Sequence, residues 1–263
     1  MPGTNKPRPF SNAVAASSEI NAASKSDGAS ANLVRRRPRG DDDLFEQVRA
    51  ELFTAVVGDV MDAAGLTNQF LPPTIRPLRP DMVVVGRAMT VLESDCADSY
   101  VATDGVKRPF GLMLRALDDL MPGEVYLCTG ASPRYALWGH LMTVRARALG
   151  AVGAVVDGYS RDTREVIEYS DFNTFSRGGY AQDQGVRGRV IDYRCAIRYA
   201  NGTVACPGDL VFGDLDGVLV VPRDHEEDII AAALKKIRGE DLVRQAIESG
   251  TSACDAYETY GVM

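Results

Sequence analysis

The sequence predicts an α/β fold with a central mixed sheet flanked by helices. Three observations carry this expectation. Helical segments and apolar, β-branched segments alternate through the middle of the chain, as they do when strands are joined through helices. Short apolar runs over residues 82–91, 124–128, 151–156, 210–212 and 218–221 are rich in Val and Leu, as buried strands are. Asn201-Gly202, set between two further short runs, marks a hairpin and adds antiparallel pairing.

Residues 1–40 are rich in Ser, Ala, Asn and Pro, have no hydrophobic period, and end in Arg35-Arg36-Arg37-Pro38-Arg39. They read as a disordered basic tail, with too little apolar surface to offset the entropy of ordering. One domain follows over residues 41–263. Asp41-Asp42-Asp43 open a helix with Leu44, Phe45, Val48 and Leu52 on its apolar side. A second helix holds Val56, Val57, Val60 and Met61 and stops at Gly65. Four prolines make residues 69–80 a loop. The strand over residues 82–91 contains Gly86, which predicts a bulge there. Residues 111–120 read as a helix, broken by Met121-Pro122-Gly123 before the strand over 124–128.

Residues 137–165 carry the chemistry. Leu141, Val144 and Ala148 recur at helical spacing, with Arg145 and Arg147 off that face. Gly150 sits where a left-handed C-cap belongs. The strand over 151–156 empties into the turn Asp157-Gly158 and delivers Arg161-Asp162 past its C-terminal end, the edge where α/β proteins bind ligands. A helix N-terminus at Gly139-His140 and the Arg161 guanidinium can converge on one anion, such as a carboxylate. Asp162-x-x-Glu165 reads either as a cap for a helix starting at Thr163 or as the acidic part of a site, and spacing alone leaves both open. Trp138 is expected to pack in the core or an interface.

Beyond this run, residues 171–175 read as a short strand and 176–188 as a polar, Gly-rich loop. Arg177, Asp183, Arg187 and Arg189 lie in or beside that loop, whose length suits either functional work or plain solvation. Strands follow at 190–193 and 196–199. Asp224-x-x-Glu227 is expected to cap a last helix with Ile229, Ile230, Ala233, Leu234 and Ile237 on one face.

Composition excludes several classes. The net charge of −7 argues against a general nucleic-acid binder, although residues 1–40 carry +5 of it with seven Lys/Arg against Glu19 and Asp27. No run approaches the ~18 consecutive apolar residues of a membrane span, and no signal-peptide core opens the chain. Five cysteines without a CxxC pair argue against zinc-ribbon and thioredoxin-like sites, and imply reduced thiols in the cytoplasm. The glycines around Gly150 and Gly153 make neither a dinucleotide fingerprint nor a P-loop.

The run Gly139–Glu165 resembles the signature of the RraA-like family, which includes the class II, metal-dependent pyruvate aldolases acting on 4-hydroxy-4-methyl-2-oxoglutarate and 4-carboxy-4-hydroxy-2-oxoadipate. The family pattern is an acid, twenty positions, Arg-Asp, two positions and an acid. Arg161, Asp162 and Glu165 match it, Gly139 precedes its first position, and His140 stands where the family has Asp or Glu. The order of helix, Gly65-Leu66, proline-rich loop and Val85-Gly86-Arg87-Ala88-Met89-Thr90-Val91 adds to the likeness, as does the ending around Ala256-Tyr257 and Tyr260-Gly261-Val262. The likeness extends over residues 44–263.

That resemblance implies a swivelling β/β/α-type sandwich. It implies a divalent-metal-dependent lyase that cleaves a small 2-oxo dicarboxylic acid through a metal-stabilised enolate. The reaction would be aldol cleavage releasing pyruvate or an oxaloacetate-type decarboxylation. Asp162 would hold Mg²⁺ or Mn²⁺, with Glu165 behind it or acting as a cap. Arg161 would hold the substrate carboxylate, met from the other side by the backbone N–H groups of Gly139, His140, Leu141 and Met142. Arg161 and His140 are the catalytic candidates. A His at a helix N-terminus is disfavoured from charging, so His140 could ligate the metal, serve as base, or mark lost aldol chemistry. No lysine lies in the run to form an imine, which fits the metal route. The family also implies a cytoplasmic homotrimer or pair of trimers, with no nucleic-acid or membrane partner. Its alternative is a non-catalytic RraA-type regulator that binds another protein such as a ribonuclease.

Overall fold

The structure, a computed structural model, describes residues 39–96 and 110–261. All but the last two residues of the expected tail, 1–38, lie outside them. Helices α1 (Arg39–Glu51) and α2 (Thr54–Ala63) lead through a short β1 (Arg76–Pro77) to the long β2 (Val84–Asp95). Then come α3 (Met113–Asp118), β3 (Glu124–Thr129), β4 (Ala136–Trp138), α4 (His140–Ala148), β5 (Gly153–Val156), β6 (Tyr159–Ser160), α5 (Thr163–Val166) and β7 (Asn173–Ser176). Strands β8 (Gly188–Tyr193), β9 (Ile197–Arg198), β10 (Val204–Ala205), β11 (Leu210–Asp214) and β12 (Gly217–Val221) precede α6 (Glu226–Glu248) and α7 (Ala253–Tyr260).

The main sheet runs β1-β7-β5-β3-β2-β11-β12, with β8 also paired to β2. Strands β2, β3, β5 and β7 are parallel to one another, while β1, β8, β11 and β12 are antiparallel to their neighbours. The sheet is therefore mixed, as expected. It curls until it nearly closes into a barrel: the Leu71 N–H donates to Val218 O at 2.8 Å and the Val220 N–H to Gln69 O at 3.0 Å, tying the chain before β1 to β12. The inside is filled by Val84, Ala88, Val125, Leu127, Val155, Phe175, Val211 and Val218. Outside, Val85 packs with the buried faces of α1, α2 and α6, while Met89 and Val91 pack under α3 and α4. The alternation of β2 between these layers is the period-two pattern of a strand buried on both faces.

Four local expectations are corrected. The bulge of β2 falls at Leu92/Glu93 rather than at Gly86. Gly86 is instead a close-packing position, since a Cβ there would lie 2.6 Å from Gly123 O and 2.8 Å from Val125 Cγ2. The proline-rich loop contains β1, whose Arg76 and Pro77 pair with Ser176 and Phe175. The apolar stripe of α4 faces outward: Leu141 is 80% and Val144 43% exposed, and Thr143 and Ala146 are the buried residues. Asp224 lies in a 3₁₀ turn, Arg223–His225, so α6 starts later than expected, with His225 at its N-cap and no side-chain cap.

Arg87 joins three elements. Its guanidinium donates to both oxygens of Asp41 on α1 (3.0 and 2.5 Å) and to Glu226 on α6 (2.9 Å), and Arg87 and Asp41 are both buried. Removing one partner of such a group leaves uncompensated buried charge, at a cost of about 3–5 kcal/mol.

Glu93, turned inward at the bulge, is 2% exposed. Burial pushes its carboxyl up to about 8, against a smaller lowering by the amide of Gln184. Between pH 4.5 and about 8 the unfolded chain releases this proton and the folded chain keeps it, so stability falls as pH rises through that window. The loss is on the order of 5 kcal/mol. Glu93→Gln, uncharged at every pH, should gain stability relative to wild type between pH 5 and pH 8 in urea titrations. An unchanged difference at the two pH values would show that Glu93 is ionised in the fold.

Candidate functional site

Two small elements bring the predicted residues together. Strands β4 and β6 pair in parallel, Ala136 against Tyr159 and Trp138 against Ser160, and the Arg161 N–H donates to Trp138 O at 2.8 Å. The end of β6 is thereby set beside the start of α4. Trp138 fixes the position. Its ring lies 5.1 Å from Tyr126 and stacks on Phe172 at 5.9 Å, and its Nε1–H donates to Thr143 Oγ1 at 2.8 Å. It packs in the core as expected, 1% exposed.

Gly139, the N-cap of α4, makes the close approach possible. A Cβ on it would stand 3.1 Å from Asp162 Oδ2 and 3.3 Å from Arg161 Cγ. With no side chain capping α4, its first-turn N–H groups open toward these residues, and Gly139, Leu141 and Met142 line a cavity of about 450 Å³. Asp118, Arg145, Arg161, Asp162, Asp183 and Gln184 supply its polar wall, with Arg145 paired to Asp118 at 2.8 Å, and Met113, Leu117 and Trp138 part of its apolar one.

Asp162 sits at the N-cap position of α5 but does not cap it. Its backbone is left-handed (φ 52°, ψ 35°), and its side chain makes no cap hydrogen bond. The carboxylate turns toward α4 instead, where Oδ2 lies 3.4 Å from the His140 N–H and 3.7 Å from Arg161 Nε. The capping alternative is thus excluded for Asp162. A left-handed non-glycine residue costs of order 1–2 kcal/mol and is held by its surroundings. Arg161 donates from Nη1 to Asp183 Oδ1 at 2.5 Å, and both side chains are partly exposed. Glu165 is exposed on α5 and does not line the cavity.

His140 divides its contacts. Its main chain joins the site, but its Nε2 is 2.9 Å from the Tyr169 hydroxyl and its ring stacks on Tyr169 at 5.8 Å. The Arg147 guanidinium covers the same Tyr169 ring at 4.2 Å. The imidazole is tied to this cluster, and His140 is not among the residues lining the cavity.

Of the loop candidates, Asp183 enters the cavity. Arg177 does not: it pairs with buried Asp157 at 2.7 Å, which also accepts from Thr129 Oγ1 at 2.8 Å. Arg187 donates to Asp183 O at 3.0 Å and so holds the loop. Gln184 and Glu93, joined by a hydrogen bond of 2.7 Å, were not anticipated. A charged residue inside the apolar strand over Thr90-Val91-Leu92 was the available signal for Glu93. Among the described residues no three His, Cys, Asp or Glu side chains gather to hold a metal. The donor set is one uncapped carboxylate facing an open cavity, which fits a hard divalent ion that keeps most of its water.

Comparison with known proteins identifies the family. The family described as RraA-like, Aldolase/RraA, matches residues 54–220. A protein of Halalkalibacterium halodurans named "Putative 4-hydroxy-4-methyl-2-oxoglutarate aldolase" is 32% identical over 220 residues, 82% of this chain and 93% of that one. An uncharacterized protein from Pseudomonas syringae pv. tomato is 27% identical with a TM-score of 0.70, covering 83% of this chain and 94% of its own. Streptomyces coelicolor RraAS2, described as an unusual member of the RNase ES inhibitor RraA protein family, shares the fold at 23% identity and a TM-score of 0.66, over 80% of this chain and 98% of its own. The family description spans aldolases and RraA proteins alike, and no helix among the described residues is long and apolar enough to cross a membrane. With the matched region running from α2 to β12 and taking in the whole cavity wall from Trp138 to Gln184, the chain belongs to the RraA-like family.

Proposed function

We propose that the chain is a carbon–carbon lyase acting on a small 2-oxo dicarboxylic acid, by aldol cleavage to pyruvate or by decarboxylation of an oxaloacetate-like acid. The observation that carries this is the Asp162 carboxylate, relieved of capping, held in a left-handed backbone and facing the cavity beside Arg161 and the α4 N-terminus. The name of the Halalkalibacterium halodurans relative supports the same reading.

Asp162 would hold a Mg²⁺ or Mn²⁺ ion. When bound, such an ion supplies a Lewis acid beside the 2-oxo group. The chain's own residues then do the positioning. The Arg161 guanidinium takes a substrate carboxylate by sharing or giving up Asp183, an exchange made easy because an exposed pair contributes only about 0.2–1 kcal/mol. The first-turn N–H groups of α4 take further carboxylate oxygens, and their dipole favours the charge that grows on the substrate as the bond breaks. Trp138, Met142, Met113 and Leu117 exclude water from one side of the cavity.

The outward stripe of α4 supports an assembly. Leu141 and Val144 on α4 are 80% and 43% exposed and Leu114 on the neighbouring α3 is 57% exposed, around or beside the cavity mouth, so the homotrimer or pair of trimers would bury them at subunit boundaries. Leu141→Asp should then lower the mass seen by light scattering toward that of a single chain. A wild-type monomer across micromolar concentrations would overturn the assembly.

Asp162→Asn keeps the shape and tolerates the left-handed backbone, so its thermal midpoint should stay near that of wild type. Pyruvate release with Mg²⁺ or Mn²⁺ should fall by on the order of 100-fold or more. Full metal-dependent activity in this variant would remove Asp162 from the site. If wild type turns over no 2-oxo acid with either metal, the regulator reading takes over. His140→Asp restores an acid at the family position and frees it from Tyr169, and it should raise turnover. A fall would instead make His140 the base.

A further inference from the structure

The polar pair at the back of the cavity has no part in the chemistry above. Gln184 is 3% exposed yet lines the cavity. Its main chain is fixed, because its carbonyl accepts from the N–H groups of Arg187 (2.6 Å) and Gly188 (3.1 Å). Its Nε2 donates to Glu93 Oε2 at 2.7 Å. Glu93 is 2% exposed, and its other oxygen, Oε1, has no hydrogen-bond partner among the described residues. One end of the Gln184 amide is thus committed to a buried acid. The other end, the carbonyl Oε1, accepts no hydrogen bond from the described residues and is not sealed in the core. It is the acceptor that this wall offers to the cavity.

The other polar groups here serve different partners. Arg161 and the α4 N–H groups are donors and suit carboxylates. Asp183 is engaged by Arg161 and Asp118 by Arg145, and Asp162 faces the α4 N-terminus. Any of these aspartates would also repel a dicarboxylate. An uncharged acceptor receives a hydroxyl without that repulsion, and a ligand lacking the hydroxyl leaves it desolvated and unpaired.

We propose that Gln184 is the substrate-reading residue of this cavity, its carboxamide oxygen accepting a hydrogen bond from the hydroxyl of a hydroxylated dicarboxylate, with Glu93 as the positioning residue that keeps the amide turned that way. The inference rests on the cavity being the site of the proposed lyase, and it adds a preference for hydroxylated over plain diacids. In a balanced aldol cleavage that same hydroxyl gives up its proton to water as the carbon–carbon bond breaks, its carbon becoming a carbonyl, the bonding pair passing to the 2-oxo fragment, and that fragment taking a proton back from water to become pyruvate. Gln184 orients the hydroxyl and takes no proton.

The test reads binding rather than turnover. Citramalate and 2-methylsuccinate share a carbon skeleton and differ by one hydroxyl, and their dissociation constants can be measured by calorimetry on the full-length chain. Wild type should prefer citramalate by about tenfold. Gln184→Leu should bring the ratio near one by weakening citramalate alone, and Gln184→Met should do the same if the Leu variant fails to fold. Glu93→Gln, which keeps a hydrogen-bonding partner, should retain more of the preference than Glu93→Leu. Equal affinity of wild type for both diacids, or an equal loss of both in the Gln184 variants, would overturn the proposal. Preference for citramalate without pyruvate release would refute the lyase and leave the role of Gln184 standing. Binding of neither diacid would sink both.

Discussion

Trp138 is the wedge against which the site is built, and the hydrogen bond from the Arg161 N–H to its carbonyl joins the two halves. Its ring is clamped between Tyr126 and Phe172, and its indole N–H holds Thr143 in the first turn of α4. The start of α4 therefore cannot drift relative to the sheet. With Gly139 next in sequence, nothing intervenes between this fixed helix end and the Arg161-Asp162 pair. Position, rather than any unusual side-chain chemistry, makes these residues a candidate site.

Burial separates the arginines that hold the fold from Arg161, which is free to serve a ligand. Arg87 is locked to Asp41 and Glu226, Arg194 to Asp119 and Glu124, and Arg177 to Asp157, and each network includes a carboxylate that is itself buried. Opening any of them would strand a charge in a poor solvent. Arg161 and Asp183 both keep contact with water, at 40% and 45% side-chain exposure, so their pairing is replaceable. An ion pair of this kind holds a guanidinium in place without consuming it.

The sequence made the large elements legible because their signals are local. The strands at β2, β3, β5, β11 and β12, the helices around them and the delivery of Arg161-Asp162 beyond β5 all follow from runs and turns in neighbouring residues. What escaped is long-range or very short. Strands β4 and β6 are three and two residues long, below any periodicity, yet they align the site. Glu93 and Gln184 are separated by 91 positions and meet only in the fold. The stripe of Leu141 and Val144 reads like a core face in one dimension, but the Trp138–Thr143 bond turns the opposite face inward. At Asp162 the capping pattern was present and its side chain was elsewhere, because a left-handed backbone aims the carboxylate away from its own helix.

That backbone also bears on how the site can drift over generations. At φ 52° most side chains are strained, and only glycine, asparagine and aspartate sit there readily. One nucleotide change converts an aspartate codon to either of the other two. The lowest-strain exits from Asp162 therefore leave the loop's course intact while deleting its charge. A lineage could thus lose the charge at position 162 and keep this scaffold unaltered.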